Sequence, residues 1–395
     1  MRGVSRPTRT LPVALALLAA VSAAVSAAAS PSATTPAPAG TVRVYVGTYT
    51  AGASRGIYRL RLDLATGALT AEGTPTRAQD PSFLELSADG SRLYAVNETG
   101  RTRAETGSVS AFAVDARTGA LTLLNRQPSR GAAPCHLALD RTGRHLLVAN
   151  YWGGSVAVFP VLADGRLGRS TAFDQHEGEN PTPRSEPGPH AHAVALLPDN
   201  TVALVADLGL DALFLYDFDA GPGTLRARQP PRLELARGAG PRHLVPGPGG
   251  RRVYVINELT STISVVETEG GALKETQAVS TLPEGFTGQN DAAEIALSPD
   301  GRFLYGSNRG HDSIAIFAVD AASGRLTPKG HRPTGGKTPR HFAIDPTGAY
   351  LLAANQESDA VSVFRIAPAT GLLEPVGAPV HVPRPVCLRM ATPRS

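Results

Sequence analysis

The chain has 395 residues, of which 42 % are hydrophobic and 18 % are charged. This apolar fraction excludes wholesale disorder, and the length fits two or three average domains or one large repeat domain. The formal net charge is +4. Three of those charges belong to Arg2, Arg6 and Arg9 in an amino-terminal segment that we expect to be removed, so the rest of the chain gives no reason to expect a nucleic-acid partner.

Residues 1–29 have the order of a secretory signal peptide. The three arginines precede an almost uninterrupted run of Leu, Ala and Val over 11–25, and small residues follow over 26–29. The run is too short to cross a bilayer comfortably. The sequence therefore predicts a secreted, extracellular protein with a Sec-type signal peptide and no membrane anchor, and a flexible leader over 30–40.

Beyond the leader, three kinds of strand recur in a fixed order. The first runs into a turn, at 81–90, 134–143, 190–200, 241–250, 292–301 and 339–348. The second ends in Asn or Asp, at 93–97, 146–150, 203–207, 253–257, 304–308 and 351–355. The third alternates towards an aromatic or aliphatic end, at 108–112, 155–159, 212–216, 262–266, 313–317 and 360–364. A Gly turn and a short fourth segment follow, and a period of roughly 50 residues is typical of a four-stranded propeller blade.

The two chain ends complete one further blade. Residues 44–48 match the second kind of strand and 56–60 the third, so the amino-terminal blade lacks its innermost strand. Residues 385–390 have the register of 134–139 and can supply it, which would remove an exposed sheet edge. The sequence predicts an all-β fold, a seven-bladed propeller of four-stranded antiparallel blades, occupying residues 41–395.

The start of the innermost strand carries an unusual set of side chains. The alignment places there Cys387, Phe83, His136, His192, His243, Glu294 and His341, with His190, Arg242 and Arg340 beside them. Innermost strands line the central channel, so these groups should converge at one mouth. Any one histidine could make a structural hydrogen bond, but so many ionisable groups are costly to desolvate together, and the whole column favours a ligand site.

Two further regions could reach that mouth. The Asn/Asp column is typical of strand and turn capping, but its neighbours Glu258 and Arg309 break the pattern. The connection over 173–189 is long and carries His176 and Arg184 just before His190. Loops of this length are usually functional, so we expect a lid, the alternative being a decorative insertion. The predicted substrate-binding residues are His176, Arg184, His190 and Arg309.

Three other chemical signals are weaker. Residues 52–56 match the Gly-x-Ser-x-Gly string of serine hydrolases at Ser54, but that motif needs a strand–turn–helix setting and here joins two strands. His190 and His192 could hold a metal, although the column offers one carboxylate. We expect no metal or other cofactor. Cys135 and Cys387 fall in blades separated by a third, so we expect free, buried thiols.

Several strings together resemble a known family. They are 134–136 (Pro-Cys-His), 190–192 (His-Ala-His), 240–243 (Gly-Pro-Arg-His), 298–313 and 338–341 (Thr-Pro-Arg-His). The chain from about 42 to 390 resembles the propeller lactonases, which include bacterial 6-phosphogluconolactonases and are similar to fungal carboxymuconate cyclases. The resemblance implies an active site at the channel mouth. Its motifs fall on His136, His192, Arg242, His243, Glu294, Arg340 and His341.

These observations predict a secreted lactone hydrolase that acts on a sugar or organic-acid lactone. A histidine near its normal pKa, or Glu294, would activate water, and Arg242 or Arg340 would stabilise the oxyanion or bind a substrate anion. The expected partner is a small-molecule lactone and the expected state is a monomer. Two alternatives remain open: a cyclase or cycloisomerase that forms or opens a lactone by proton transfer, and a non-enzymatic propeller that binds a ligand or a protein.

Overall fold

The computed structural model describes residues 1, 3–5, 7, 8, 40–179, 187–269 and 272–391. The predicted signal peptide and the leader up to residue 39 lie almost wholly outside the described residues. Ala37–Ser395 form one compact unit. Among the described residues, no helix is both long enough and apolar enough to cross a membrane.

The described chain forms seven antiparallel sheets. Blades 1 to 3 contain β1 (Thr41–Thr48), β2 (Gly56–Asp63), β3 (Leu69–Ala71), β4 (Thr76–Arg77), β5 (Leu84–Leu86), β6 (Arg92–Asn97), β7 (Ser108–Val114), β8 (Leu121–Pro128), β9 (Pro134–Leu139), β10 (His145–Asn150), β11 (Ser155–Pro160) and β12 (Ala172–Gln175). Blades 4 and 5 contain β13 (Ala191–Leu196), β14 (Val202–Asp207), β15 (Ala212–Asp219), β16 (Thr224–Glu234), β17 (Pro241–Pro246), β18 (Arg252–Asn257), β19 (Thr262–Glu269) and β20 (Ala272–Ser280). Blades 6 and 7 contain β21 (Ala292–Leu297), β22 (Phe303–Asn308), β23 (Ser313–Val319), β24 (Leu326–Pro333), β25 (Pro339–Ile344), β26 (Tyr350–Asn355), β27 (Ala360–Ile366) and β28 (Leu373–His381), and the chain ends with β29 (Pro385–Met390). Two 3-10 helices, Pro248–Gly250 and Gln356–Ser358, follow innermost or second strands.

The ring closes in blade 1 as the sequence predicts. The carboxy-terminal strand β29 pairs antiparallel with β1, with Val46 opposite Leu388 and Gly47 opposite Cys387. A Cβ at Gly47 would lie 2.3 Å from the carbonyl oxygen of Pro81, so only glycine fits where β1 passes the next blade. The predicted seven-bladed all-β fold is therefore confirmed, including its split blade.

The core consists of layers between neighbouring blades. All six residues of β10 are buried, as expected for a second strand packed on both faces. Tyrosines on four of the second strands tie one blade to the next through a turn carbonyl. Their hydroxyls donate from Tyr45 to Gly119 O (3.0 Å), from Tyr94 to Gly165 O (3.2 Å), from Tyr254 to Gly324 O (3.1 Å) and from Tyr305 to Gly371 O (2.8 Å). Each of these four buried phenols thus has a partner, and the bonds link neighbouring blades around the channel.

A β-bulge lies near the start of most innermost strands, and it sets the direction of the side chains that face the channel mouth. Pairing with the second strand shifts register between Pro241 and His243 in blade 5, and between Pro339 and His341 in blade 7. A bulge leaves one residue unpaired and re-aims the local side chains. Arg242 and Arg340 are the unpaired residues, each just before a channel histidine.

Candidate active site at the channel mouth

Side chains of the aligned column do converge on the channel axis. The ring centroids of Phe83 and His136 lie 4.1 Å apart, and those of His136 and His243 lie 5.0 Å apart. His341 lies 5.8 Å from Phe83 across the same space. Strands far apart in the sequence therefore bring their first channel-facing residues into one cluster, as predicted.

Blade 4 departs from the predicted alignment by one residue. Its register pairs Ala193 with Ala206, as blade 5 pairs His243 with Ile256, so Ala193 occupies the column. His192 occupies the bulge position of Arg242, and its prediction as a column member was wrong. His192 still reaches the cluster, because its ring lies 5.2 Å from that of His243. It lies in the layer nearer the mouth, with the arginines.

Glu294 lies at the centre of a deeper group of side chains, here called the inner layer, which also contains His243 and His341. Its Oε2 lies 3.0 Å from His243 Nδ1 and 3.0 Å from His341 Nε2, and its Oε1 accepts from the backbone N–H of Ile295 at 3.0 Å. Arg242 Nη1 lies 3.1 Å from His243 Nε2, so that nitrogen must accept and Nδ1 must donate to the carboxylate. A carboxylate that accepts from His243 Nδ1 and from the N–H of Ile295 is already engaged and orients His243, which argues against the predicted role of Glu294 as the base.

Burial keeps the mouth histidines neutral. Desolvation, with smaller contributions from neighbouring cationic groups, lowers the pKa of His136, His192 and His243 well below the ordinary value of 6.5. Desolvation also lowers the pKa of His341 to about 3, despite the opposing charge of Glu294. The expected histidine with a near-normal pKa is therefore not among these four. Neutral imidazoles remain able to accept a proton at neutral pH.

Nearer the mouth lies the outer layer, formed by His192, Arg242, Arg309 and Arg340. A carboxylate there holds two of the guanidinium groups. Glu258 Oε2 lies 2.9 Å from Arg242 Nε and 2.7 Å from Arg309 Nη2. Burial alone would raise the pKa of Glu258, but Arg309, Arg242 and Arg340 outweigh it and lower that pKa. Burial and the neighbouring arginines lower the pKa of Arg242 to about 10, so it stays charged at neutral pH. The structure thus places Arg309 beside Arg242, and its role in binding substrate stays a prediction.

The third guanidinium is held from blades 1 and 2. Arg340 Nη2 donates to the hydroxyl of Tyr49 at 3.0 Å, and that hydroxyl contacts the two carboxylate oxygens of Glu98 at 3.0 and 3.2 Å. Tyr49 and Glu98 each follow the last residue of a second strand, as Glu258 and Arg309 do. The sequence alignment named only the last two. Extending the Asn/Asp column by one residue in every blade would have found the others.

The remaining predicted binding residues fare differently. His190 is buried, and its ring stacks on that of Tyr151 at 4.6 Å. Its backbone N–H donates to Asp207 Oδ1 at 2.8 Å. It lies beside the mouth as part of an aromatic wall. Arg184 lies outside the described residues.

The prediction of His176 as a lid residue that binds substrate was wrong. The first residues of the predicted long connection belong to β12, and His176, which follows it, is 1 % exposed. Its Nδ1 lies 2.6 Å from Asp207 Oδ2 and its Nε2 lies 3.0 Å from the Tyr216 hydroxyl. The ring stacks on Phe214 at 3.8 Å. His176 therefore anchors blade 3 to blade 4.

The weaker chemical signals also have a place. Cys135 and Cys387 are free and buried, as predicted. The Sγ of Cys135 lies 3.9 Å from His192 Nδ1, and burial raises the pKa of this thiol, which disfavours a thiolate. Ser54 is buried between β1 and β2, with its hydroxyl 2.6 Å from that of Thr48. Among the described residues, no group of three His, Cys, Asp or Glu is arranged to hold a metal ion.

Comparison with known proteins agrees with this architecture. A family model described as "Lactonase, 7-bladed beta-propeller" matches residues 43–390. The chain belongs to this family. It is 36 % identical to a 6-phosphogluconolactonase of Bacillus subtilis over 300 residues, which is 75 % of this chain and 83 % of the relative. It is 34 % identical to a 6-phosphogluconolactonase of Formosa agariphila over 269 residues, 66 % of this chain and 74 % of that one.

A solved structure gives the same result. The periplasmic gluconolactonase of Pseudomonas aeruginosa superposes with a TM-score of 0.84 at 35 % identity, covering 89 % of this chain and 99 % of that one. The predicted resemblance and the predicted enzyme class, a 6-phosphogluconolactonase-like propeller lactonase, are confirmed at the level of the family. The cluster at the channel mouth is accordingly the candidate active site.

Proposed function

We propose that this protein hydrolyses a sugar or organic-acid lactone at the channel mouth, and that it does so after export. The observation that carries the proposal is the convergence of three guanidinium groups and a neutral imidazole in the outer layer: Arg242, Arg309, Arg340 and His192. Cations bind the carbonyl oxygen or an anionic substituent, and a neutral imidazole accepts a proton.

The proposed reaction consumes one water and yields one hydroxy acid. His192 takes a proton from water as its oxygen attacks the lactone carbonyl carbon. Charge develops on the carbonyl oxygen, and Arg242 or Arg340 stabilises it. The ring C–O bond then breaks, and the imidazolium returns the proton to the departing alkoxide. Glu258 and Tyr49 hold all three guanidiniums before substrate arrives, so little reorganisation is needed.

The inner layer supports this arrangement without touching substrate. Arg242 Nη1 is fixed between His243 Nε2 (3.1 Å) and the carbonyl oxygen of Ala293 (2.9 Å). His243 is in turn oriented by Glu294. We therefore assign His243, His341 and Glu294 as positioning residues, and His192 as the proton acceptor.

The substrate and the site of action belong to the same proposal. The relatives named above include both 6-phosphogluconolactonases and a periplasmic gluconolactonase. The arginine-bearing apolar segment over 1–29 favours export. Amino-terminal sequencing of protein recovered from the extracytoplasmic fraction should begin near residue 30, and recovery of an intact Met1 would contradict export.

Lactone turnover tests the reaction. Purified protein should hydrolyse glucono-1,5-lactone above the spontaneous rate, equally with and without a chelator. The His192→Asn and Arg340→Met variants should lose about 100-fold or more in kcat/KM, the usual size of a lost base or oxyanion donor. Arg251→Met is the matched control, because Arg251 is an exposed arginine at the other end of the channel, between β17 and β18. Wild-type rates in both mouth variants would contradict the assignment.

A further inference from the structure

A cavity of about 540 Å³ opens beside the mouth between blades 1, 2 and 3. Its walls include Tyr49, Glu98 and Trp152, each from the connection between the second and third strands of its blade. The Tyr49 hydroxyl also receives the hydrogen bond from Arg340. The cavity and the candidate active site therefore share a wall, and one ligand could occupy both.

The cavity has the lining of a site for a hydroxyl-rich molecule. Trp152 supplies an aromatic surface and is held edge-to-face by Tyr151 at 5.5 Å and by His190 at 5.4 Å. An indole face carries negative charge density that attracts C–H groups of a sugar. Carboxylates of Asp80 and Glu98 and guanidiniums at the rim offer acceptors and donors for hydroxyls.

We propose that this cavity is a subsite for the hydroxyl-bearing carbon chain of an unphosphorylated sugar lactone, with Trp152 as its aromatic wall. The proposal rests on lactone hydrolysis at the mouth and names the substrate class for it. The volume is within the range of small-molecule sites, which is about 300–1,000 Å³. In this arrangement the lactone carbonyl lies at the arginines and the polyol extends over Trp152.

The charges of the cavity favour hydroxyls over a phosphate. Asp80 and Glu98 are matched by Arg101 and Arg384, and Arg384 already faces Glu357 at 3.6 Å. A phosphomonoester carries roughly −1.5 to −2 charges at neutral pH and would lie against two carboxylates. Neutral hydroxyls instead accept from the guanidiniums and donate to the carboxylates.

Trp152 is the one tryptophan of the chain, so tryptophan fluorescence reports on the aromatic wall of this cavity. Tryptophan fluorescence of the wild-type protein should change saturably as gluconate is added. The apparent Kd for 6-phosphogluconate, measured in the same way, should be at least 10-fold higher. Trp152→Ala should raise KM for glucono-1,5-lactone about 10-fold or more while kcat stays within about threefold, because the chemistry lies at the mouth. Trp152→Phe should keep KM within about threefold of wild type. Leu162→Ala is the matched control, since it removes an exposed apolar side chain of the same blade at its other end.

The outcomes separate this inference from the proposed function. A gluconate-dependent fluorescence change without lactone turnover would contradict the hydrolytic function and still support the subsite. Turnover with an unchanged KM in Trp152→Ala and no fluorescence response would overturn the subsite alone. Tighter binding of 6-phosphogluconate than of gluconate would overturn the unphosphorylated class. If Trp152→Ala fails to fold, Trp152→Phe and the wild-type titrations decide.

Discussion

Acidification should destabilise this propeller steeply, because it buries four imidazoles in neutral form. A histidine whose folded pKa lies well below 6.5 takes up its proton on unfolding, so it contributes stability above pH 6.5 that is lost as the pH falls towards the folded pKa. From pH 7 to pH 5 the loss is about 2 kcal/mol for each such group. The four together account for at most about 8 kcal/mol, which is comparable to the whole stability of a typical domain.

Two buried carboxylates, Glu85 and Glu98, stabilise the folded protein on acidification. Burial raises the pKa of Glu85 and of Glu98, so these groups take up protons more readily in the folded protein and offset part of the loss on acidification. The net fall in the free energy of unfolding between pH 7 and pH 5 should therefore be several kcal/mol rather than the full sum. Urea unfolding at half-unit pH intervals measures it directly.

One substitution isolates the contribution of a single imidazole. His136 packs against Phe83 at 4.1 Å, so His136→Phe removes a proton-binding group while keeping an aromatic ring in place. Whatever its stability at pH 7, this variant should lose about 2 kcal/mol less than wild type between pH 7 and pH 5. His381→Phe, at an exposed position of the outer strand β28, is the matched control, because it makes the same substitution outside the channel. A wild-type slope in His136→Phe, or a flat wild-type profile, would show that the channel imidazoles are not held neutral by burial.

Three further predictions follow from the site and the closure of the ring. Glu258→Gln should lower kcat/KM for lactone about 100-fold, because Arg242 and Arg309 both lose their anchoring charge, and steady-state kinetics below the melting temperature of the variant measures the loss. The acid limb of the pH–rate profile should lie clearly below pH 6.5, because a lowered pKa keeps His192 unprotonated there; a limb at 6.5 or above would exclude His192 as the base. Deleting β29 should abolish cooperative thermal unfolding, because β1 loses one of its two partner strands and the ring opens, and a sharp wild-type-like melt would argue against closure by this strand.

The sequence predicted the ring well because its blades carry strong local signals. Turn residues at fixed offsets locate each hairpin, and the pairing of β29 with β1 follows from matching the register of 385–390 to that of β9. The inter-blade hydrogen bonds of tyrosines such as Tyr45 were not predicted, because their partners are backbone carbonyls some 74 residues away. Contacts of this kind leave no mark on a repeat alignment.

The sequence predicted that the cluster lies at the channel mouth but not the position of every residue in it. Most of the errors arise at β-bulges. In blade 4 the string His-Ala-His drew the alignment to His192, whereas the turn at Asn200 places Ala193 in register with His243. A bulge sends consecutive residues towards the same channel, so the alternation of a regular strand no longer identifies which ones face it. The burial of His176 likewise depends on Asp207 in the next blade, which no local pattern reveals.

The structure of the protein with bound gluconate shows where the lactone product lies. Its carboxylate should lie within hydrogen-bond distance of the guanidiniums of Arg242, Arg309 or Arg340, with the same end of the ligand next to the imidazole of His192. Gluconate bound instead in the cleft at the other end, lined by Asp217, Arg228 and Arg251, with an empty mouth, would contradict it.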